Sequence, residues 1–269
     1  MACMELHSRS EEEATAPKNL VKALAVLRLI SERPAGISLA EISRATGLPK
    51  PSAHRFLGAL LADGLVRVND DERFGLGFQC LRLGMAFQEG LDLRREALGP
   101  LEDLAKATGE TCHLGVKDGN QIVYIEKIES SNAVRMHSRI GRTNPLHSTG
   151  LGKAILAHGE PAAVDEAIEA GLDRRTTNTI CDPHELRAEL RRVRERGAAY
   201  DLVENEEGIR CCGVPVLDHL GAVVAGISVA GPEFRLTRAK LEEITPLVIA
   251  AALELSRRLG YPGSIPFGS

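Results

Sequence analysis

The chain has 269 residues, 33 Lys and Arg against 37 Asp and Glu for a formal net charge of −4, three Tyr and no Trp. This length suits two domains, and so little aromatic material is poor equipment for stacking bases, which favours a duplex reader over an RNA or single-strand binder. No apolar run approaches the roughly 20 residues of a membrane span, and Glu11, Glu12 and Glu13 stand where a signal peptide would be basic and then apolar, so a cytoplasmic protein with no membrane partner is expected.

Residues 1–17 are polar and acidic without periodicity and read as a disordered tail. Residues 18–31 supply a helix with Leu20, Ala23, Leu24, Leu27 and Ile30 as its expected core stripe. Residues 39–68, LAEISRATGLPKPSAHRFLGALLADGLVRV, then give a short helix that breaks at Gly47. A second helix follows, with Pro49 and Pro51 where missing amides cost least. Its Ala53, Phe56, Leu57, Leu60 and Leu61 fall at helical spacing. Lys50, Ser52, His54 and Arg55 occupy the opposite face or the leading turn, which is the layout of a helix-turn-helix with its recognition helix second. Asp63-Gly64 closes that helix, and residues 65–68 and 74–76, joined through a polar turn, read as a two-stranded wing.

Charge supports this assignment over an ordinary helical hairpin. Residues 20–68 hold seven basic side chains (Lys22, Arg28, Arg33, Arg44, Lys50, Arg55, Arg67) and three acidic ones (Glu32, Glu41, Asp63), a balance of +4 on a chain of −4. A basic module on an acidic protein suits phosphate neutralisation on a duplex. Arg44, Lys50, Ser52, His54 and Arg55 are the candidate DNA contacts, with Arg67 and Arg73 of the wing reaching the backbone or the minor groove.

The winged module is expected over residues 18–77. Residues 78–94 read as a mostly helical linker, either part of a dimer contact or a monomer core helix. The second domain, 95–264, opens with a helix over 98–108. Strands follow at 111–116 and 121–128 around Asp118-Gly119-Asn120, and at 134–138. Helices are expected at 148–157, 161–170 and 183–197, strands at 199–205, 208–217 and 222–230 with the last central, and a long helix capped by Thr237 and running to about Leu259. This is α+β with a mostly antiparallel sheet. Cys3, Cys80, Cys112, Cys181, Cys211 and Cys212 show no repeated CxxC and read as reduced and mostly buried.

The segments LPKPSAHRFLGALLADGLV, GNQIVYIEKIES, RMHSRIGRTNPLHSTGLGKAILA and ENEEGIRCCGVPV together resemble the IclR family of bacterial transcriptional regulators, in particular its 2-keto-3-deoxygluconate repressor branch. The resemblance covers nearly all of residues 18–262. It implies an N-terminal winged helix-turn-helix, a linker helix and a C-terminal GAF-like effector domain with a curved antiparallel sheet flanked by helices. It also implies a dimer, or a tetramer formed of two dimers, and a small organic acid that changes DNA binding. Carried over by position, the effector pocket is lined by Ala133, Met136, Asn144 and Gly150 on one side and Asp201, Ile209, Cys211, Ser228 and Ala230 on the other. Ala230 departs from members with a hydroxyl there, Asn144 is polar where others are apolar, and Pro49 and Pro51 replace small hydroxyl residues.

The residues themselves agree with an acid ligand. His147-Ser148-Thr149-Gly150-Leu151-Gly152 opens a helix, whose approachable amides at the positive end of the dipole seat a carboxylate. Asp201, Asn144, Ser228 and His147 are candidates for hydroxyls, and Met136 and Ile209 for apolar walls. Taken singly, His147 capping the sheet, Asp201 pairing with a surface arginine and Cys211 packing are equally open.

Enzymatic readings fail on spacing. Gly152-Lys153 lacks the first glycine and the final hydroxyl of a phosphate loop, and Gly226-Ile227-Ser228-Val229-Ala230 lacks the last glycine and the sharp turn of a nucleophile elbow. Cys181 and His184 with His137 or His113 make a weak zinc set, so no metal or cofactor is expected. The expected partners are a double-stranded operator, a small acid resembling 2-keto-3-deoxygluconate and further copies of the chain. The alternatives are an activator, a regulator sensing pyruvate, glyoxylate or an aromatic acid, and a GAF-like protein whose winged helix mediates protein contacts.

Overall fold

The computed structural model describes residues 17–89, 92–133 and 138–263, which form two compact units divided near residue 90. All but the last residue of the tail expected at 1–17, most of the expected strand at 134–138, and Met136 and His137 lie outside the described residues.

The first unit comprises α1 (Lys18–Ser31), α2 (Leu39–Thr46), α3 (Lys50–Ala62), β1 (Val66–Val68), β2 (Phe74–Leu76) and α4 (Phe78–Glu89). A reciprocal capping box starts α2: the Ser38 hydroxyl accepts from the Glu41 amide, and the Glu41 carboxylate accepts from the Ser38 amide at 2.8 Å. Gly47 ends α2 at φ 69°, a conformation that costs a side-chain-bearing residue more. The turn into α3 is fastened by Ser43 Oγ donating to Leu48 O at 2.6 Å. Ala53, Phe56, Leu57 and Leu60 of α3 pack with Ile42, Val26, Ile30 and Val66 into one core. The wing strands are antiparallel, Val66 opposite Leu76, and Phe74 also exchanges two backbone hydrogen bonds with Ile37.

One expectation for this unit is corrected. In α1 Val26 and Ile30 are buried with Ala23 and Leu27 packed beside them, while Leu20 and Leu24 are 53% and 44% exposed. The segment is apolar on nearly every face, so its periodicity does not select the inward one.

The second unit comprises α5 (Leu93–Thr108), β3 (Thr111–Asp118), β4 (Gln121–Ile128), β5 (Thr143–Pro145), α6 (Gly150–His158), α7 (Pro161–Glu169), α8 (Pro183–Arg196), β6 (Ala199–Leu202), β7 (Ile209–Leu217), β8 (Val223–Pro232) and α9 (Arg238–Arg258). α5 begins earlier than the sequence suggested, because Asp92 accepts from the Arg94 and Arg95 amides and caps it, and Pro100 is accommodated inside it. The short β5 was not anticipated. All pairs in the sheet are antiparallel, in the order β5-β4-β3-β8-β7-β6, with β3 and β8 in its middle.

Alternation along the strands gives this sheet two different faces. Cys112, Leu114, Cys212, Val214, Ile227 and Val229 face α5 and α9 in a large apolar core. The other face carries α6, with Leu151, Ala154 and Ile155 packed against Ile122, Tyr124 and Ala199. Adjacent Cys211 and Cys212 therefore point to opposite sides: Cys212 Sγ sits 3.7 Å from Thr245 Oγ1 of α9, and Cys211 packs with Ala230 and Ile209. Among the described residues no helix is long and apolar enough to cross a membrane.

Candidate functional site

On the first unit, burying Ala53, Phe56, Leu57 and Leu60 turns the other side of α3 outward. Lys50, His54 and Arg55 are exposed there, Ser52 is half-buried, and Arg44 is exposed on the last turn of α2. Arg55 also stacks its guanidinium over the Phe56 ring at 5.5 Å. On the wing, Arg67 is exposed and its Nε donates to Leu76 O at 3.2 Å. Arg73 differs from the expectation. It is turned inward, donating from Nε to Gly36 O at 3.1 Å and from Nη2 to Glu41 at 3.0 Å, so it ties the wing to α2 and its charge is already answered. The Ser38 hydrogen bonds, with Arg73 beside them, hold the Glu41 carboxyl down at about 2.

On the second unit, the sheet face that carries α6 is apolar along part of its area and polar beside the start of the helix. Asp201, Cys211, Ala230 and Thr111 form one row across β6, β7, β8 and β3, and Gly213, Ser228 and His113 form the next. α6 settles on this face by backbone contact. A Cβ on Gly213 would lie 2.5 Å from the Gly150 carbonyl carbon, and one on Gly152 would lie 2.3 Å from Leu146 O. The glycines thus serve close packing, a different reason from the approachable amides expected. Of those amides, Gly152 N–H already donates to Thr149 Oγ1 at 3.0 Å, and Leu151 N–H is directed at Cys211.

The polar groups interlock. Glu204 N–H donates to Asp201 Oδ1 at 2.6 Å, Asn205 Nδ2 donates to Asn144 Oδ1 at 3.3 Å, and the Ser148 hydroxyl donates to Asn205 Oδ1 at 3.0 Å. His113 Nε2 lies 2.7 Å from Ser138 Oγ, and its ring stacks on Tyr124 with centroids 4.5 Å apart. Tyr124 is the hub: Asn144, Asp201 and Cys211 all act on its hydroxyl, and burial, with Cys211 and Asp201 after it, pushes the phenol up. Burial first, then the Glu204 charge, pushes the Asp201 carboxyl up to about 7. Burial takes the His113 imidazole down to about 3, so that ring is neutral, and burial raises the Cys211 thiol. Behind the row, Lys153 Nζ contacts both Glu204 carboxylate oxygens at 2.5 Å, both side chains being buried. That pair accounts for Gly152-Lys153 without phosphate.

Of the pocket residues anticipated, Asn144, Gly150, Asp201, Cys211, Ser228 and Ala230 are buried together on this face, with half-buried Ile209 at its edge. Ala133 is exposed, outside the buried set. His147 faces elsewhere: its Nε2 meets Asp173 O at 3.1 Å, and it lines a separate cavity of about 180 Å³ with Asn120, Gln121 and Asp173. Sequence reasoning missed Tyr124, His113, Ser138, Ser148 and Asn205. For His113 and Tyr124 the available signal was a polar or aromatic residue on an otherwise apolar strand, while Ser138, Ser148 and Asn205 lie in loops and carried none. Cys181 Sγ donates to Thr179 O at 3.4 Å, and among the described residues no three His, Cys, Asp or Glu side chains are grouped to hold a metal.

Comparison with known proteins is consistent across both units. The IclR helix-turn-helix domain matches residues 19–70, and the C-terminal part of bacterial IclR transcriptional regulators matches residues 85–257. The chain is 35% identical over 253 residues to the HTH-type transcriptional regulator KdgR of Escherichia coli (strain K12), covering 93% of this chain and 96% of that one. It is 35% identical over 247 residues to XynR of the same organism, covering 91% and 98%. The fold is similar to the crystal structure of a putative IclR transcriptional regulator from Silicibacter sp. TM1040, with a TM-score of 0.82 at 30% identity, covering 94% of this chain and 100% of that one.

Proposed function

From the premise that this chain belongs to the IclR family, and is thus a DNA-binding transcriptional regulator and not an enzyme, we propose that it is a cytoplasmic repressor of sugar-acid catabolism, released from its operator by a small keto acid resembling 2-keto-3-deoxygluconate. The observation that carries the ligand half is the buried polar patch beside the start of α6, where Asp201, Asn144, Ser228 and Tyr124 offer hydroxyl-binding groups. The exposed Lys50, His54 and Arg55 on α3 carry the DNA half.

In this reading a dimer, or a pair of dimers, places α3 of two copies in successive major grooves of a near-palindromic operator, and Arg67 reaches the phosphates beside it. α4 is the linker. The acid weakens DNA binding only through a difference in its affinity for the DNA-competent and incompetent arrangements, so the sign of regulation rests on which arrangement holds the acid better.

Fluorescence anisotropy on a labelled duplex from upstream of the chain's own gene tests this, with 2-keto-3-deoxygluconate titrated against pyruvate and non-specific DNA as control. Tight binding released by the sugar acid supports the reading. Tight binding indifferent to both acids overturns the ligand, and tighter binding in its presence overturns the repressor sign.

A further inference from the structure

Two buried polar atoms on the face beneath α6 have no hydrogen-bond partner among the described residues: His113 Nδ1 and Asn144 Nδ2. His113 is 0% and Asn144 3% exposed. Buried side-chain donors and acceptors are rarely left this way, because an unmade hydrogen bond forfeits the water it gave up on folding. The two are not scattered. The Tyr124 ring stacks on His113, and its hydroxyl lies towards the Asn144 amide without meeting hydrogen-bond geometry, so one tyrosine runs from one orphan to the other. Each is also held through its other polar atom, His113 Nε2 by Ser138 and Asn144 Oδ1 by Asn205, so one atom of each side chain is left unpaired.

We propose that His113, Tyr124 and Asn144 are the specificity corner of the effector pocket, where the hydroxyl-bearing tail of the acid is read. This rests on the small-acid reading above. The chemistry selects hydroxyls over a second anion. Asn144 Nδ2 only donates. His113 Nδ1 donates or accepts according to which partner in the Ser138 contact holds the proton, and a hydroxyl satisfies either case. The imidazole is held neutral, so it offers an anion no charge, and the Asp201 carboxyl beside Tyr124 disfavours one there when ionised. A short keto acid such as pyruvate has the same carboxylate and keto head but no tail, so it leaves both atoms unpaired. Sites built to bond a hydroxyl discriminate strongly against ligands that lack it.

The test is calorimetric titration of the full chain with 2-keto-3-deoxygluconate and with pyruvate, for the wild type and for Asn144→Leu, His113→Phe and Tyr124→Phe, each accompanied by a melting curve. The wild type is expected to prefer the hydroxylated acid. Each variant should weaken that acid on the order of tenfold and leave pyruvate unchanged. Tyr124→Phe keeps the ring on His113 and removes only the hydroxyl, so it stays readable if the other changes unfold the pocket. Undiminished binding of the hydroxylated acid in folded variants overturns the corner while leaving the small-acid reading standing, as does equal loss of both acids. A wild type that binds pyruvate alone also overturns the corner, and one that binds neither acid overturns the small-acid reading and the corner with it.

Discussion

Replacing Lys153 by Met tests whether the polar layer under α6 is held together by charge. The Lys153 ammonium is 0% and the Glu204 carboxylate 7% exposed, in contact at 2.5 Å. Met matches the alkyl stem in length, so the change removes charge and hydrogen bonds more than volume. Glu204 then keeps only the Leu202 amide at 3.3 Å while the Asp201 carboxyl still faces it. Breaking a buried pair from one side costs roughly 3–5 kcal/mol, since the surviving charge is left without compensation. In a unit of this size each kcal/mol moves the midpoint by about 2–4 °C, so the effector-unit transition in scanning calorimetry should fall by roughly 6–20 °C. Lys153→Met combined with Glu204→Leu removes the orphaned charge and should recover most of the loss, because apolar replacement of a buried pair is often near neutral. A single variant losing less than about 1 kcal/mol, or a double variant as unstable as the two singles added, would refute this account of the layer.

Asp201→Asn should be stabilising in a pH-dependent way. The folded carboxyl, at about 7, lies above its ordinary 3.8, so its contribution is fully present below about pH 4 and is lost as the pH rises towards 7. The difference in unfolding free energy, variant over wild type, should be near zero at pH 4 and reach a plateau above pH 7, at most on the order of 4 kcal/mol. Gly213→Ala forces a Cβ to within 2.5 Å of the α6 backbone, where no side chain can give way, and should cost about 3 kcal/mol or more in urea denaturation. Arg55→Ala should weaken operator binding and reduce the slope of log affinity against log salt by about 1. Arg73→Ala should leave that slope unchanged and lower the melting point of the first unit, since its guanidinium serves Glu41 and Gly36.

Much of the architecture was legible because local rules agreed with the fold. Gly47, Asp63-Gly64 and Thr237 bound their helices as their chemistry requires, and the hairpin around Gly119 follows from its turn residues. What escaped was set by distance along the chain. His113 meets Ser138 across 25 positions and Ser148 meets Asn205 across 57, and no spacing rule links such pairs. Of the α1 stripe, Ala23, Leu27 and Ile30 do pack on the core, and Leu20 and Leu24 were misplaced for the opposite reason, an excess of apolar candidates. β5 is three residues containing Asn and Pro, which carry no strand signal of their own and pair only because β4 is beside them. His147 shows that neighbours in sequence can face different surroundings: it stands two residues from the α6 cap yet turns towards Asp173.

The back-to-back arrangement of Cys211 and Cys212 makes the chain its own pair of clocks. Both thiols are buried and raised above the ordinary range, so neither is reactive while the sheet is closed. Alkylation of Cys211 times the opening of the pocket side, and alkylation of Cys212 times the parting of α9 from the sheet. An effector that seals the pocket without strengthening the core slows the first and leaves the second untouched, so one mass-spectrometric time course on two consecutive residues separates ligand protection from general stabilisation.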